Sequence, residues 1–238
     1  MNANEKIIIN DVNWPPYFII DAEKGRAGLA KEIINSCLQR IGYQAKYHEL
    51  PIKRTHHFME AGEIDITVYS YKAEREKILY YGKEVLFNSE YGFMVKANSE
   101  IKIDDLADLE PYVIGHLAGL SYTPELKKII DDKAKVDEVV IGFTLEAMFA
   151  QLIADIPRFE IMANSKSTLF WEAKKLGVSD KIKVLDYKIK NKAYYITVSK
   201  HSKNIKSPKE FIAKIDTCLR DIKQNGEYKA IFSRYGIY

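Results

Sequence analysis

The chain has 238 residues, of which 47% are hydrophobic and 29% are charged, and its formal net charge is +3. This length allows one large domain or two small ones, and the composition predicts packed cores rather than a disordered chain. The nearly balanced charge does not indicate a nucleic-acid-binding protein, and the absence of any apolar run of about 18 residues excludes a membrane-spanning helix.

Strand and helix patterns alternate in the first part of the chain. Residues 6–10 are a short apolar run typical of a buried strand, and the two prolines of residues 14–17 predict a rigid extended loop. Apolar residues recur at helical spacing from Leu29 to Ile41, and Gly42 is a typical helix stop. Further strands are predicted at 43–50, 64–69 and 91–95, with a short helix at 55–61.

The same alternation continues to the end of the chain. Strands are predicted at 113–115, 139–143, 159–162 and 193–198. Helices are predicted at 124–131, after Thr144, at 167–176, and behind the proline-containing capping box at 207–210. Strands that alternate with helices predict an α/β fold with parallel sheets and helical crossovers.

The two cysteines, Cys37 and Cys218, lie on predicted helix faces that also carry leucine and isoleucine. Cysteine is often a buried core residue, so this placement favours buried free thiols. A disulfide remains an alternative, since the sequence does not show whether the two residues are close in space.

Short motifs in a fixed order extend over nearly the whole chain. They are an aromatic-proline-proline-aromatic loop at 13–17, Gly25 and Gly28 followed by Glu32, a Gly-x-x-Asp turn within 61–65, Lys-Ala-Glu-Arg at 72–75, and the closing pair at 235–236. In this order the chain resembles the family 3 bacterial extracellular solute-binding proteins. Residues 50–54 resemble a Pro-Trp-x-Arg variant of that family, with Ile52 in place of the tryptophan.

The resemblance implies the two-lobed type II periplasmic binding fold, in which each lobe is a mostly parallel sheet flanked by helices. Lobe 1 is expected at 1–94 plus 196–238 and lobe 2 at 95–195, with two hinge crossovers between them. A small polar ligand that bears a carboxylate, an amino acid or an organic acid, would bind in the cleft at the carboxyl ends of the strands.

The resemblance further implies a monomeric, non-catalytic periplasmic protein that needs no cofactor, binds no nucleic acid, and delivers its ligand to the membrane permease of an ABC importer. Residues 1–6 are polar and contain no signal peptide, so either the protein is cytosolic or its signal has been removed. The resemblance favours a removed signal.

Two arginines are candidates for binding the ligand. The guanidinium of Arg75 fits a carboxylate with two parallel hydrogen bonds, and the family's arginine at this position binds the ligand α-carboxylate. Its alternative is a surface ion pair with Glu74 or Glu76. Arg54 is the second candidate, and its alternative is a solvated position at a helix start. If both arginines face the cleft, the ligand carries more than one negative group.

Four residues near predicted strand ends are further candidates. Trp14 and Tyr17 follow the first strand, where aromatic rings stack on a ligand or cover its cation, with packing beneath the loop as the alternative. Ser70 and Tyr71 follow the strand at 64–69 and offer hydroxyl or backbone groups to ligand oxygens.

The second lobe offers fewer candidates. Ser121 precedes a helix whose first N–H groups suit an anion. Asn164 and Ser165 stand where amino-acid-binding family members usually have the aspartate that holds the ligand ammonium. Neither side chain supplies a negative charge, so we expect a ligand without a free ammonium, or a dicarboxylate. Glu160 is the alternative partner for an ammonium, if it turns inward.

The five histidines show no spacing typical of a metal site.

Two classes of function other than solute transport remain open. Enzymes similar to cyclohexadienyl dehydratase share the fold, and here Glu160 is the candidate general acid. The third hypothesis is the sensory module of a signalling receptor.

Overall fold

The computed structural model describes residues 6–20, 25–50, 52–118, 120 and 122–237, with only the backbone described at 52 and 53. The strands are β1 (Lys6–Asp11), β2 (Gln44–Glu49), β3 (Ile66–Ser70), β4 (Leu79–Lys96), β5 (Ile114–Leu117), β6 (Val139–Gly142), β7 (Ile161–Ser165), β8 (Ile182–Val184) and β9 (Lys190–Ser199). The helices are α1 (Leu29–Arg40), α2 (Ile52–Glu60), α3 (Pro124–Ala134), α4 (Leu145–Ile153), α5 (Lys166–Lys175), α6 (Pro208–Gln224) and α7 (Glu227–Arg234). The predicted α/β class is confirmed. Within these ranges no helix is both long enough and apolar enough to cross a membrane.

The chain divides into two compact units. Unit 1 comprises Met1–Asn88 and Ala193–Tyr238, and unit 2 comprises Ser89–Lys192. Both divisions lie inside long strands, the first in β4 and the second in β9. The hinges expected near residues 94 and 195 also lie in these two strands.

The sheet of unit 1 has parallel strands at its centre. In the order β2-β1-β3-β9, β1 is parallel to β2 and to β3, whereas β9 is antiparallel to β3. Asp11, Glu49 and Ser70 are the last residues of the three parallel strands, so they share one edge of the sheet. This is the edge at which ligands bind in open α/β sheets.

The glycine motif and the closing tyrosine meet at the start of α1. The N–H of Ala30, which has no partner within the helix, donates to the carbonyl of Tyr17 at 3.0 Å. Gly28 has a φ of 112°, and a Cβ there would lie 2.5 Å from the same carbonyl oxygen, so only glycine fits. The N–H of Gly28 donates to the Tyr235 hydroxyl at 2.9 Å, and this hydroxyl donates to Glu32. These motif residues therefore hold the fold together.

The Gly-x-x-Asp turn has a similar structural role. Asp65 is fully buried, and its carboxylate accepts hydrogen bonds from the N–H of Ile8 at 2.7 Å and from the Ser202 hydroxyl at 2.5 Å. A Cβ on Gly62 would lie 1.9 Å from the carbonyl oxygen of His201. The turn thus joins β1 and β3 to the segment that follows β9.

A disulfide between Cys37 and Cys218 links α1 to α6, with a Cα–Cα distance of 5.6 Å. The expectation of free thiols is therefore wrong. Both cysteines are buried as expected, but α1 and α6 pack against each other, which brings residues 181 positions apart into bonding distance.

Unit 2 is a three-layer unit around the strand order β4-β7-β5-β6. β5 is parallel to β6 and β7, and β4 is antiparallel to β7. Successive residues of the central strands enter different cores, because Ile161 and Ala163 belong to one apolar cluster and Met162 to another. Helix α3 contributes to the first cluster, and α4 and α5 contribute to the second.

Four elements differ clearly from the sequence-based prediction. Strand β4 runs from Leu79 to Lys96, whereas only 91–95 was predicted, and β8 and α7 were not predicted. Strand β7 begins at Ile161 and includes Asn164 and Ser165, which were expected to follow the strand. Their polarity is typical of a loop, but both side chains are buried and hydrogen-bonded: the Ser165 N–H donates to Oδ1 of Asn164 at 2.7 Å.

Candidate functional site

An aromatic cluster follows the carboxyl end of β1 in unit 1. Trp14 lies after this strand and pairs with Phe18 across a tight turn, so the expected extended loop is wrong. The Trp14 ring centroid lies 4.7 Å from that of Tyr17 and 4.8 Å from that of Tyr194. Tyr17 is buried and stacks on Phe87 at 3.9 Å. Trp14 is half-buried, so it is the member of this predicted pair that keeps surface for a ligand.

Arg75 lies in the short 3-10 helix Ala73–Lys77 that follows β3. Its Nη1 donates to the backbone oxygen of Ser70 at 3.1 Å, and its guanidinium carbon lies 4.1 Å from the Tyr69 ring centroid. Within the described residues the side chain forms no ion pair, and the neighbouring Glu74 pairs with Lys72 instead. One hydrogen bond and one ring thus orient a half-buried guanidinium at the carboxyl end of β3.

Ser70, Tyr71 and Tyr81 form the rest of this end of β3. The backbone oxygen of Ser70 also accepts from the Tyr81 hydroxyl at 3.2 Å, and that hydroxyl accepts from the Lys72 N–H at 3.1 Å. Tyr71 is exposed, and its pKa is raised chiefly by the charge of Glu76. Tyr81 therefore braces the loop that carries Arg75, a role that the sequence did not predict.

The structure places Arg54 and Asp11 near the same edge in different environments. Arg54 is exposed on α2, which follows the carboxyl end of β2, and no described contact joins it to Arg75. Asp11 is the buried last residue of β1, and its Oδ2 lies 2.5 Å from Nζ of Lys31. Burial raises the pKa of Asp11, and its Oδ1 accepts no hydrogen bond from any described residue. Sequence analysis missed Asp11, although its place at a strand end was a usable signal.

The residues predicted in unit 2 are Ser121 and Asn164. Ser121 is outside the described residues, as is Gly119 beside it. Asn164 is 3% exposed, and its Oδ1 already accepts the N–H of Ser165. The hydroxyl of Ser89 donates a hydrogen bond to the hydroxyl of Ser165 at 3.1 Å. Asn164 therefore contributes a neutral, already bonded amide to the carboxyl end of β7.

Glu160 lies at the other end of the same strand. It immediately precedes β7, is exposed, and its Oε2 accepts the N–H of Val113 at 2.7 Å. Because Ser165 is the last residue of β7, Glu160 stands at the amino end, opposite the edge expected to bind ligand.

Sequence analysis also missed a lysine in unit 2. Nζ of Lys190 lies 4.0 Å from the ring centroid of Tyr91 and 5.8 Å from that of Tyr122. Partial burial, together with the charge of Lys192, lowers the pKa of Lys190 to about 8. Lys188, Asn191 and Lys192 lie close to it in the sequence, and such a basic stretch is typical of a solvated strand end. The sequence therefore did not indicate Lys190 as a candidate residue.

No cluster in the described ranges brings together three histidine, cysteine, aspartate or glutamate side chains in a way that could hold a metal ion. His116 is half-buried in β5, and its Nδ1 is without a hydrogen-bond partner among the described residues. Burial lowers the pKa of His116 below its ordinary value.

Comparisons with known proteins agree with this architecture. The family model of the bacterial extracellular solute-binding proteins, family 3, matches residues 7–237. No curated protein sequence matches the chain. Among solved structures, the chain is similar to an ancestral arginine-binding protein bound to arginine, with 18% identity, a TM-score of 0.72 and 98% of each chain covered.

Two other solved structures are similar over comparable lengths. The substrate binding protein of an amino acid ABC transporter has 18% identity and a TM-score of 0.66, with 97% of this chain and 98% of that chain covered. A histidine kinase sensor domain with similarity to periplasmic binding proteins has 14% identity and a TM-score of 0.71, with 98% and 96% covered.

The two α/β units and the match to the family model define a protein of the type II periplasmic binding fold. The chain belongs to the bacterial extracellular solute-binding proteins of family 3.

Proposed function

We propose that this protein captures a small carboxylate-bearing solute outside the cytoplasm and delivers it to the permease of an ABC importer. The observation that carries the proposal is the guanidinium of Arg75. It is half-buried, oriented by Ser70 and Tyr69, and forms no ion pair with any described residue. A carboxylate would give this fork of donors its natural partner.

The proposed ligand has no free ammonium, or carries two carboxylates. An ammonium buried in a site needs a compensating acid, because burying an unpaired charge costs roughly several kcal/mol of free energy. Asn164 is neutral, and Glu160 lies at the amino end of β7. Neither Asn164 nor Glu160 therefore supplies this acid at the carboxyl edge of unit 2.

The proposed location outside the cytoplasm is supported by the disulfide between Cys37 and Cys218. Disulfides persist in oxidising compartments such as the periplasm and are rare in reducing ones. The similarity to the binding protein of an amino acid ABC transporter supports the importer as partner.

A thermal-shift panel tests the proposal. Glutarate, succinate, acetate, glutamate, glutamine and arginine would be compared at one salt concentration, because a ligand that binds only the folded state raises the melting temperature. We expect the organic acids, and the dicarboxylates above all, to raise it. Stabilisation by glutamine or arginine at micromolar concentrations, with none by organic acids, would contradict the proposed ligand class.

The second candidate function is ligand sensing, which the similarity to a histidine kinase sensor domain favours. Sensing would use the same ligand site and differ only in the partner that detects the bound state. A membrane span or kinase domain in the same gene would distinguish the sensor from the transport protein. Catalysis is not proposed, because Glu160, the candidate general acid, lies at the amino end of β7.

A further inference from the structure

A buried ion pair joins the end of β1 to the first turn of α1. Nζ of Lys31 lies 2.5 Å from Oδ2 of Asp11, and both side chains are more than nine-tenths buried. The same ammonium donates to the backbone oxygen of Ile19 at 2.8 Å and lies 4.9 Å from the ring centroid of Tyr47. A buried ion pair adds little net stability over apolar residues of similar volume, because desolvation of the two charges offsets their attraction. The stability of unit 1 therefore does not by itself account for this pair.

The pair lies at the same edge of the unit 1 sheet as Arg75. Asp11 is the last residue of β1 and Ser70 is the last residue of β3, and the backbone oxygen of Ser70 orients the Arg75 guanidinium. Lys31 is in the first turn of α1, which is hydrogen-bonded to the turn that follows β1. Both members of the pair are therefore at the carboxyl edge, where open α/β sheets bind their ligands.

Asp11 by itself would make this edge attractive to a cation. A carboxylate is the usual partner of an ammonium or guanidinium group, and Oδ1 of Asp11 accepts no hydrogen bond from any described residue. Lys31 neutralises this carboxylate through the other oxygen. Burial raises the pKa of Asp11, and the hydrogen bond from Lys31 opposes this effect, so the ammonium favours the ionised carboxylate. A cationic group of a ligand would thus meet a carboxylate that is already neutralised.

We propose that Lys31 determines ligand specificity: by neutralising Asp11, it makes the site of unit 1 select against solutes that carry a cationic group. This inference rests on the proposed function and deepens it, since it names the side chain of unit 1 that makes a free ammonium unfavourable. Lys31 is a positioning residue, because it acts through Asp11 as a permanent counterion. Glu49, at the end of β2, is exposed, so that water and salt screen its charge.

Calorimetry with matched pairs of acids tests the inference. The amino acids β-alanine, γ-aminobutyrate and δ-aminovalerate would be titrated beside propionate, butyrate and valerate, which have the same carbon numbers and no ammonium. In the wild type we expect each amino acid to bind at least about tenfold more weakly than its matched acid, because its ammonium finds no free carboxylate. In Lys31→Met, at least one amino acid should gain at least about tenfold in affinity, whereas the matched acids should stay within about threefold.

A double variant assigns the gain to Asp11. Lys31→Met combined with Asp11→Asn should lose the gained affinity, because no carboxylate remains to hold the ammonium. Lys31→Gln is a second single variant with the same expected gain, since its amide keeps a hydrogen-bond donor beside Asp11 without the charge. Lys31→Arg should keep the wild-type preference.

Lys46→Met is the matched control, since it removes an equal charge from an exposed position of β2. We expect it to leave all affinities within about threefold. Melting curves would show that each variant is folded.

Three results would overturn the inference, and they differ in what they say about the proposed function. If folded Lys31→Met and Lys31→Gln bind the matched acids but gain no affinity for any amino acid, Lys31 is a packing residue and carboxylate binding stands. A gain that persists in the double variant would come from the lost positive charge and not from Asp11. A wild-type protein that binds none of these acids would overturn the proposed function together with the inference.

Discussion

Substitution of Arg75 is the most direct test of the proposed site. Arg75→Ala should weaken carboxylate binding by about 2–5 kcal/mol, because a desolvated carboxylate would lose its charged partner. Lys77→Ala, an exposed cation in the same short helix, is the matched control and should have little effect. Calorimetry measures both affinities, and a loss below about threefold in Arg75→Ala would remove this residue as the anchor.

His116 should make folding stability depend on pH. Burial lowers its pKa in the folded protein, whereas the unfolded chain has the ordinary value of about 6.5. Between these two values the unfolded state binds more protons, so stability is lost as the pH falls below about 6.5. The charges of Asp131 and Lys127 act in opposite directions and modify this effect.

Urea unfolding of the wild type and of His116→Gln at pH 7.5, 6.5 and 5.5 would measure the effect. The advantage of the wild type over the variant should shrink, or reverse, as the pH falls. The comparison cancels the titration of the carboxylates that the two proteins share. An advantage that is equal at all three pH values would show that His116 is protonated as easily in the folded protein as in the unfolded one.

Individual residues differed in how far the sequence could place them. The order of strands and turns predicted that Trp14 and Arg75 would follow strand ends, which the structure confirms, whereas Ser70 is the last residue of β3 and does not follow it. The sequence could not show that Tyr17 is buried against Phe87, since that contact joins residues 70 positions apart along the chain. Lys190 was missed because its aromatic partners come from β4 and from the segment after β5.

The disulfide between α1 and α6 should contribute much of the stability of unit 1. The bridge closes a loop that contains most of the chain. Removing a native disulfide typically lowers the free energy of unfolding by about 2–5 kcal/mol. Unfolding by guanidinium should shift to lower concentration in the double variant Cys37→Ala with Cys218→Ala. The same shift should follow when the wild type is reduced with dithiothreitol.

The double variant is also the control for the reductant, which should not change its unfolding curve. Ligand affinity should be nearly unchanged, because the bridge lies between two helices and not at the carboxyl edge of the sheet. Identical unfolding curves for reduced and oxidised wild type would contradict the expected contribution of the bridge.

Among the elements, those with a clear periodicity were predicted and the others were not. Helix α1 has a strong apolar stripe between two glycines, so its bounds were predicted closely. Strand β4 was predicted only at 91–95, where successive residues are buried on both faces, because its earlier part mixes buried and exposed residues. The pairing of α1 with α6 depends on tertiary packing, and so the disulfide could not be predicted.

At the scale of the molecule, we expect the two crossovers to act as hinges when the ligand binds. The chain passes between the units within β4 and within β9, so a small change in these two segments can move each unit as a rigid body. Small-angle X-ray scattering with and without saturating glutarate should show a smaller radius of gyration in the bound state.

Arg75→Ala at the same glutarate concentration is the control for this scattering experiment, and its radius of gyration should not change. A wild-type radius that stays constant at proven saturation would contradict movement at these hinges. Such a result would still allow binding, since calorimetry measures binding separately.

The order of the units along the chain has a consequence for biosynthesis. Unit 1 combines both ends of the chain, whereas unit 2 is one uninterrupted segment. Ribosomes and translocation channels release a chain from its amino terminus, so residues 89–192 can fold before β9 and α6 emerge. Until β9 emerges, the edge of β3 that pairs with it has no partner strand. A chaperone that attends the newly made protein would therefore bind residues 6–88 in preference to unit 2.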